Sequence, residues 1–180
     1  MVKKEFRKSA LKKLNSIPKF QRYAIDKKIS SKLETLINKL NPKSILFYLP
    51  MPIEVDLREL IKKERKRGRK ILVPKLENES FKMVEFRLPL EENSFNIPEP
   101  KSSNFKYKQV DLLIVPVVGI DKNAQRVGFG KGMYDRFFAT LKKRPIVVFV
   151  QRKPIVAKEF LCQNHDIGCD FYISSKELNI

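Results

Sequence analysis

The sequence predicts an α/β protein: a mostly parallel sheet with helices on both faces, three-layered and Rossmann-like, with a small antiparallel excursion in the middle. Three observations carry this. Short apolar runs recur at 44–49, 70–73, 111–118 and 145–150, and runs of that length read as strands buried on both faces. Between them lie segments with apolar residues every three or four positions, the period of a half-buried helix. The 180 residues suit one domain, expected to span 1–180.

The first 40 residues carry helical spacing through Phe6, Ala10 and Leu14, then Ile25, Ile29, Leu33, Leu36, Ile37 and Leu40. Pro18 divides them into two helices, at a position where it can start the second. Asn41-Pro42 stops that helix, because proline disfavours helical backbone in the residue before it. Ser44 to Leu49 is the first strand, Pro50 and Pro52 bracket a rigid turn, and Leu57, Leu60 and Ile61 mark a further helix. Lys70 to Val73 is a second strand, which Pro74 is expected to close. Phe81 to Phe86 alternates loosely and reads as an exposed antiparallel strand, followed by an extended excursion over 88–109. Asp111 to Val118 is the strongest strand signal. A glycine-rich turn follows, then a helix with Met133, Phe137 and Leu141 on one face, a strand at Pro145 to Val150, and a last one at Phe171 to Ile173.

Composition narrows the function classes. No apolar run approaches the ~18–20 residues that cross a bilayer, and the amino terminus lacks the apolar stretch of a secretory signal, so a cytoplasmic location and no membrane partner are expected. Cys162 and Cys169 make neither a disulfide framework nor a metal cluster. The net charge is +18, and it is uneven: residues 1–75 hold 22 basic and 7 acidic side chains. A basic half attracts polyanions, or it reflects lysines filling solvated helix faces. A nucleic-acid-binding domain is therefore the alternative reading, although no aromatic-interleaved basic motif supports it.

The chemistry concentrates after the 111–118 strand, since ligands of such sheets bind beyond the carboxyl ends of the strands. Gly128, Gly130 and Gly132 alternate before a helix, so their backbone can approach an anion closely, with the amides at the helix start and Arg126 and Lys131 supplying positive charge. The other reading is a tight turn needing positive φ. Neither the P-loop nor the dinucleotide fingerprint is present.

Val115-Pro116, Asp121 and the segment Arg126-Val-Gly-Phe-Gly-Lys-Gly-Met-Tyr-Asp-Arg136 resemble the signature of the 5-formyltetrahydrofolate cyclo-ligase family, with Val127 in place of Leu and Met133 in place of Tyr. Lys3, Lys4, Phe6 and Arg7, the segment Tyr48 to Asp56, Ile97-Pro98-Glu99-Pro100, and His165-Asp166 with Asp170 resemble further family segments in the same order. The resemblance implies ATP- and Mg2+-dependent closure of 5-formyltetrahydrofolate to 5,10-methenyltetrahydrofolate, with ADP and phosphate released. The γ-phosphoryl group moves to the formyl oxygen, N10 attacks, and phosphate departs, a sequence that needs positioning and charge neutralisation above all. It further implies ATP contacts from Lys3, Lys4, Glu5, Phe6 and Arg7, and from Arg126, Val127, Gly128, Phe129, Gly130, Lys131, Gly132, Met133 and Tyr134. Arg126 and Lys131 take the catalytic role; Leu49, Glu54 and Tyr134 meet the folate; Asp135 and Asp166 hold Mg2+, with Asp170 the rival to Asp166. Read without the resemblance, the alternatives are an early-helix charge for Asp135 and solvated side chains for Glu54 and Arg7. The expected partner is a reduced formylfolate, with or without a polyglutamate tail, bound to a monomer.

Overall fold

A computed structural model describes residues 2–92, 98–101, 107–163 and 166–177. Ile97 and His165, two of the residues that carry the family resemblance, lie outside these. Helix α1 (Lys3–Asn15) opens with the Glu5 carboxylate accepting the Val2 N–H. Helix α2 (Lys19–Leu40) follows Pro18 and ends at Asn41, whose left-handed backbone (φ 45°) lets its N–H reach the Ile37 carbonyl. Strand β1 (Ser44–Leu46) leads through a loop to helix α3 (Arg58–Lys66) and strands β2 (Lys70–Glu77) and β3 (Ser80–Glu85). Short strands β4 (Leu90–Glu92) and β5 (Pro98–Pro100) pair antiparallel. Strand β6 (Leu112–Pro116) precedes a small hairpin of β7 (Gly119–Ile120) and β8 (Arg126–Val127). Helix α4 (Met133–Ala139), strand β9 (Ile146–Val150) and strand β10 (Phe171–Ile173) complete the chain.

The main sheet has six strands in the order β10-β9-β6-β1-β2-β3, all parallel except β3. One face is covered by α2 and α3: Ile29, Leu33, Ile37 and Ile61 are fully buried against Ile45, Ile71, Leu112 and Ile114. Each such side chain contributes roughly 1.5–3 kcal/mol by leaving water. Phe137 of α4 covers the other face with Leu113, Val115, Val147 and Phe149. A third cluster joins Phe6, Ala10 and Leu14 of α1 to Val118, Val127 and Ile155 at the carboxyl end of the sheet.

Two strand expectations need correction. Pro74 does not close β2, which continues to Glu77 as a ladder with β3. Pairing with β1 ends at Leu72, so Pro74 has one neighbour strand only, and a residue without an N–H is tolerated there. Nor is the strand at 81–86 an exposed one: Phe81 and Met83 are buried on one face of the sheet, Val84 and Phe86 on the other. Both apolar runs overshoot their strands, since Phe47 to Leu49 and Val117-Val118 lead out of the sheet. Among the described residues of 88–109, β4 and β5 pair antiparallel. Leu141 lies beyond the end of α4.

The basic run 62–70 is engaged locally. Glu34 holds Lys63 and Arg67, Glu64 holds Arg67 and Arg69, and Glu59 holds Lys62. Those ion pairs give the run a reason to be basic without a polyanionic partner.

Candidate active site

From β1 the chain turns to β2 on one side, and it later returns to β6 on the other, so the crevice beyond β1 and β6 is the switch point of the sheet. A cavity of about 280 Å³ opens there. Tyr48, Leu49, Met51 and Glu54 reach it from the loop after β1, Pro74 and Leu76 from β2, and Phe81 from β3. Pro116, Arg126, Phe129, Lys131, Gly132, Met133 and Tyr134 form the facing wall, and Glu99 joins from β5.

Arg126 is the charged centre of that wall. Its side chain is buried, Nε donates to the Pro116 carbonyl at 3.2 Å, and the guanidinium lies 4.7 Å from the centre of the Tyr134 ring. Asp135 Oδ2 is 3.9 Å from Nη1. The Tyr134 ring meets Phe81 edge-on at 5.0 Å, which fixes the platform under the cation. Burial lowers the pKa of Arg126, with Asp135, Tyr134 and Glu54 opposing the shift.

The glycines are explained by what surrounds them. A Cβ on Gly128 would stand 2.3 Å from Arg126 Nη1, so the absent side chain makes room for the guanidinium. Gly130 has φ +102°, and a Cβ there would come within 3.2 Å of Arg7. The segment is a turn with positive φ at Gly130 and Gly132, and the Arg126 and Arg7 cations lie against its backbone. Helix α4 has only seven residues, so its dipole is a small source of positive potential, and the side chains carry more of it.

Helix α1 ties the site together from the other end of the chain. Arg7 Nε donates to the Gly128 carbonyl at 2.7 Å, and Lys3 Nζ sits 2.7 and 2.6 Å from the two oxygens of Asp166. Phe6 is in the core and abuts Gly119, where a Cβ would be 2.7 Å from its ring. Lys4 and Glu5 are exposed, and neither lines the cavity. Val127 is fully buried beneath α1.

The two predicted metal ligands are neighbours. Asp135 Oδ1 accepts the N–H of Ile167, the residue after Asp166, whose own Oδ2 accepts the Gln163 N–H at 2.7 Å. Asp170 lies elsewhere, bound to Arg144 and to the Val147 N–H at the amino end of β9. Among the described residues no three His, Cys, Asp or Glu side chains form a metal cluster. Two carboxylates suit Mg2+, which is commonly held by one or two carboxylates with phosphate oxygens and water.

Glu54 is the unusual carboxyl group. Burial raises its pKa to about 7, against the opposing Met51 N–H and the charges of Arg126 and Arg152. Its loop is braced from below: Arg152 makes a buried two-point pair with Asp26 at 2.7 and 2.8 Å, and both Arg152 and Arg22 donate to the Pro52 carbonyl. Nothing in the local pattern of Asp26 or Arg152 marks them, because they meet across 126 positions. Asp121, by contrast, stands in the signature and proves a loop organiser, accepting the N–H groups of Asn123, Gln125, Leu161 and Cys162. Cys162 and Cys169 are pushed by burial to about 12 and about 11, which makes both poor nucleophiles.

Fold and crevice together define an α/β domain with a cavity at the switch point of its sheet and a cationic, glycine-rich wall. The chain belongs to the 5-formyltetrahydrofolate cyclo-ligase family, whose sequence model matches residues 1–170. It is 24% identical over 178 residues to the 5-formyltetrahydrofolate cyclo-ligase of Mycoplasma pneumoniae, the match covering 98% of this chain and 100% of that protein. Identity to the Mus musculus cyclo-ligase is 27% over 146 residues, 72% of each chain. The solved structure of Aquifex aeolicus 5,10-methenyltetrahydrofolate synthetase superposes with a TM-score of 0.82 at 29% identity, covering 98% of this chain and 91% of that one.

Proposed function

We propose that the protein closes 5-formyltetrahydrofolate to 5,10-methenyltetrahydrofolate at the expense of ATP, releasing ADP and phosphate. One observation carries the reading: Arg126, Phe129 and Lys131 to Tyr134, all from the segment that resembles the family signature, form one wall of the switch-point cavity. A formyl amide oxygen is a poor leaving group, and its phosphorylation requires neutralised charge and fixed geometry. Arg126, Lys131 and Arg7 supply cations beside the backbone of Gly128 and Gly130. The mostly apolar floor of Leu49, Met51 and Phe81 suits the flat ring system of a reduced folate. Ring closure removes the proton of N10, and Glu54, with a pKa of about 7, lies in the range to accept it. Asp135 and Asp166 would hold Mg2+, which supplies charge neutralisation at phosphate oxygens when bound.

Purified protein supplied with ATP, Mg2+ and 5-formyltetrahydrofolate is expected to develop the near-ultraviolet absorbance of the methenyl bridge, with one ADP formed per bridge. Absence of that band at saturating substrates would overturn the reading.

A further inference from the structure

Glu99 belongs to the Ile-Pro-Glu-Pro segment that the roles assigned so far leave unused. Strand β5 sets it against β2, where Glu99 Oε2 accepts the Leu76 N–H at 3.1 Å and Oε1 lies 3.8 Å from Lys75 Nζ. Lys75 is itself held by the Pro100 carbonyl at 2.8 Å. The Glu99 side chain is 13% exposed and lines the cavity. The excursion thus delivers a braced carboxylate to the substrate crevice.

The two carboxylates of the cavity have different cations beside them, Lys75 at Glu99 and Arg126 with Arg152 at Glu54. Glu54 shares its field with Arg126 and Arg152, at the cationic side of the crevice. Glu99 stands on the side of β2, and β1 separates β2 from β6, so the walls are about 10 Å apart at ordinary strand spacing. A formylated reduced pterin has matching polarity. Its N5 formyl oxygen must face the phosphate-binding cations, and its pyrimidine end, with the 2-amino group and the N3–H side by side, then points the other way. Two parallel N–H donors match the two oxygens of a carboxylate.

We infer that Glu99 is a specificity-determining residue that accepts the 2-amino and N3–H protons of the pterin, leaving Glu54 to the reacting end of the molecule. The inference rests on the proposed cyclo-ligase activity. It explains why the excursion lies across β2: without it the crevice would bind an apolar ring but would not tell a pterin from another heterocycle.

The test compares wild type, Glu99→Ala and Glu99→Gln by KM for 5-formyltetrahydrofolate and for ATP, and by inhibition with the analogue lacking the 2-amino group. Thermal unfolding of each variant checks the fold. Loss of hydrogen bonds to a charged group predicts a rise of about 10- to 100-fold in folate KM for Glu99→Ala, with ATP KM within about twofold. Glu99→Gln, keeping one acceptor, falls between. Wild type is expected to bind the 2-desamino analogue about tenfold or more weakly than the parent, and Glu99→Ala to bind both alike. A Glu99→Ala enzyme that keeps its folate KM, or still discriminates against the analogue, overturns the assignment while wild-type turnover leaves the activity standing. Equal rises in both KM values make Glu99 a brace for β2 alone, and overturn it too. A wild type that neither turns over nor binds the formylfolate overturns the activity, and the role of Glu99 with it.

Discussion

At the scale of single residues, the site depends on what glycine leaves out. Gly128→Ala would place a methyl group 2.3 Å from Arg126 Nη1, and the buried guanidinium has to move. Loss of one preorganised donor commonly costs 10²–10³ in rate, so kcat/KM should fall by at least about tenfold. Gly168→Ala is the control, because a Cβ there meets nothing within 4 Å. Equal activity of the two variants would show that Arg126 does not need its present position. Glu54 makes a prediction with two opposite signs. As a base it must be ionised, so kcat should rise through about pH 7 and then level, and Glu54→Gln should lose that limb along with most of the activity. Stability runs the other way. The folded pKa of about 7 exceeds the ordinary 4.5, so the folded state binds the proton more tightly, and stability falls as pH climbs between those values. Thermal melts from pH 5 to 7.5 should show a flatter pH dependence in Glu54→Gln than in wild type. The glycine spacing made a tight turn with positive φ legible in the sequence. The reason for Gly128, a buried arginine two residues earlier, was not, because spacing carries no information about burial.

At the scale of elements, α1 both joins a core cluster and grips the glycine-rich segment through Arg7. Phe6 fills the space above Gly119, and truncation of a buried Phe costs about 3 kcal/mol or more. Phe6→Ala should lower the urea midpoint and also raise KM for ATP, because Lys3 and Arg7 ride on the same helix. A stability loss with unchanged kinetics would separate α1 from the nucleotide. The acidic pair tests the metal: Asp135→Asn or Asp166→Asn should raise the Mg2+ concentration needed for half activity about tenfold, and Asp170→Asn should leave it unchanged. A shift in Asp170→Asn alone would move the ion away from this crevice. Helical periodicity identified α1 readily, yet its amphipathic face said only that it docks somewhere. Strand β3 is misleading in the sequence for a related reason. Lys82 and Glu85 break the apolar pattern on each face, so a strand buried on both sides reads as a loosely alternating exposed one.

At the scale of the whole molecule, order of buried runs and helices was enough to give the parallel sheet, since each of its parallel strands contains a continuous apolar run. The hairpin of β7 and β8 was invisible, because two-residue strands carry no periodicity. The net charge of +18 acts at long range, even though Lys62, Lys63, Arg67 and Arg69 of the run 62–70 are paired with Glu34, Glu59 and Glu64. Both proposed substrates are anions, so kcat/KM should fall as salt rises, and more steeply for a polyglutamylated folate than for the monoglutamate. Identical salt slopes for the two would confine the charge effect to the nucleotide. The anchoring of α1 also sets an order of events. Its two polar ties span 121 and 163 positions, so the helix is synthesised long before the loops that receive it exist. The strands can assemble first, while contacts this distant in sequence close late. A newborn chain should therefore acquire its secondary structure before it can hold a nucleotide, and during refolding far-ultraviolet ellipticity should recover ahead of ATP binding.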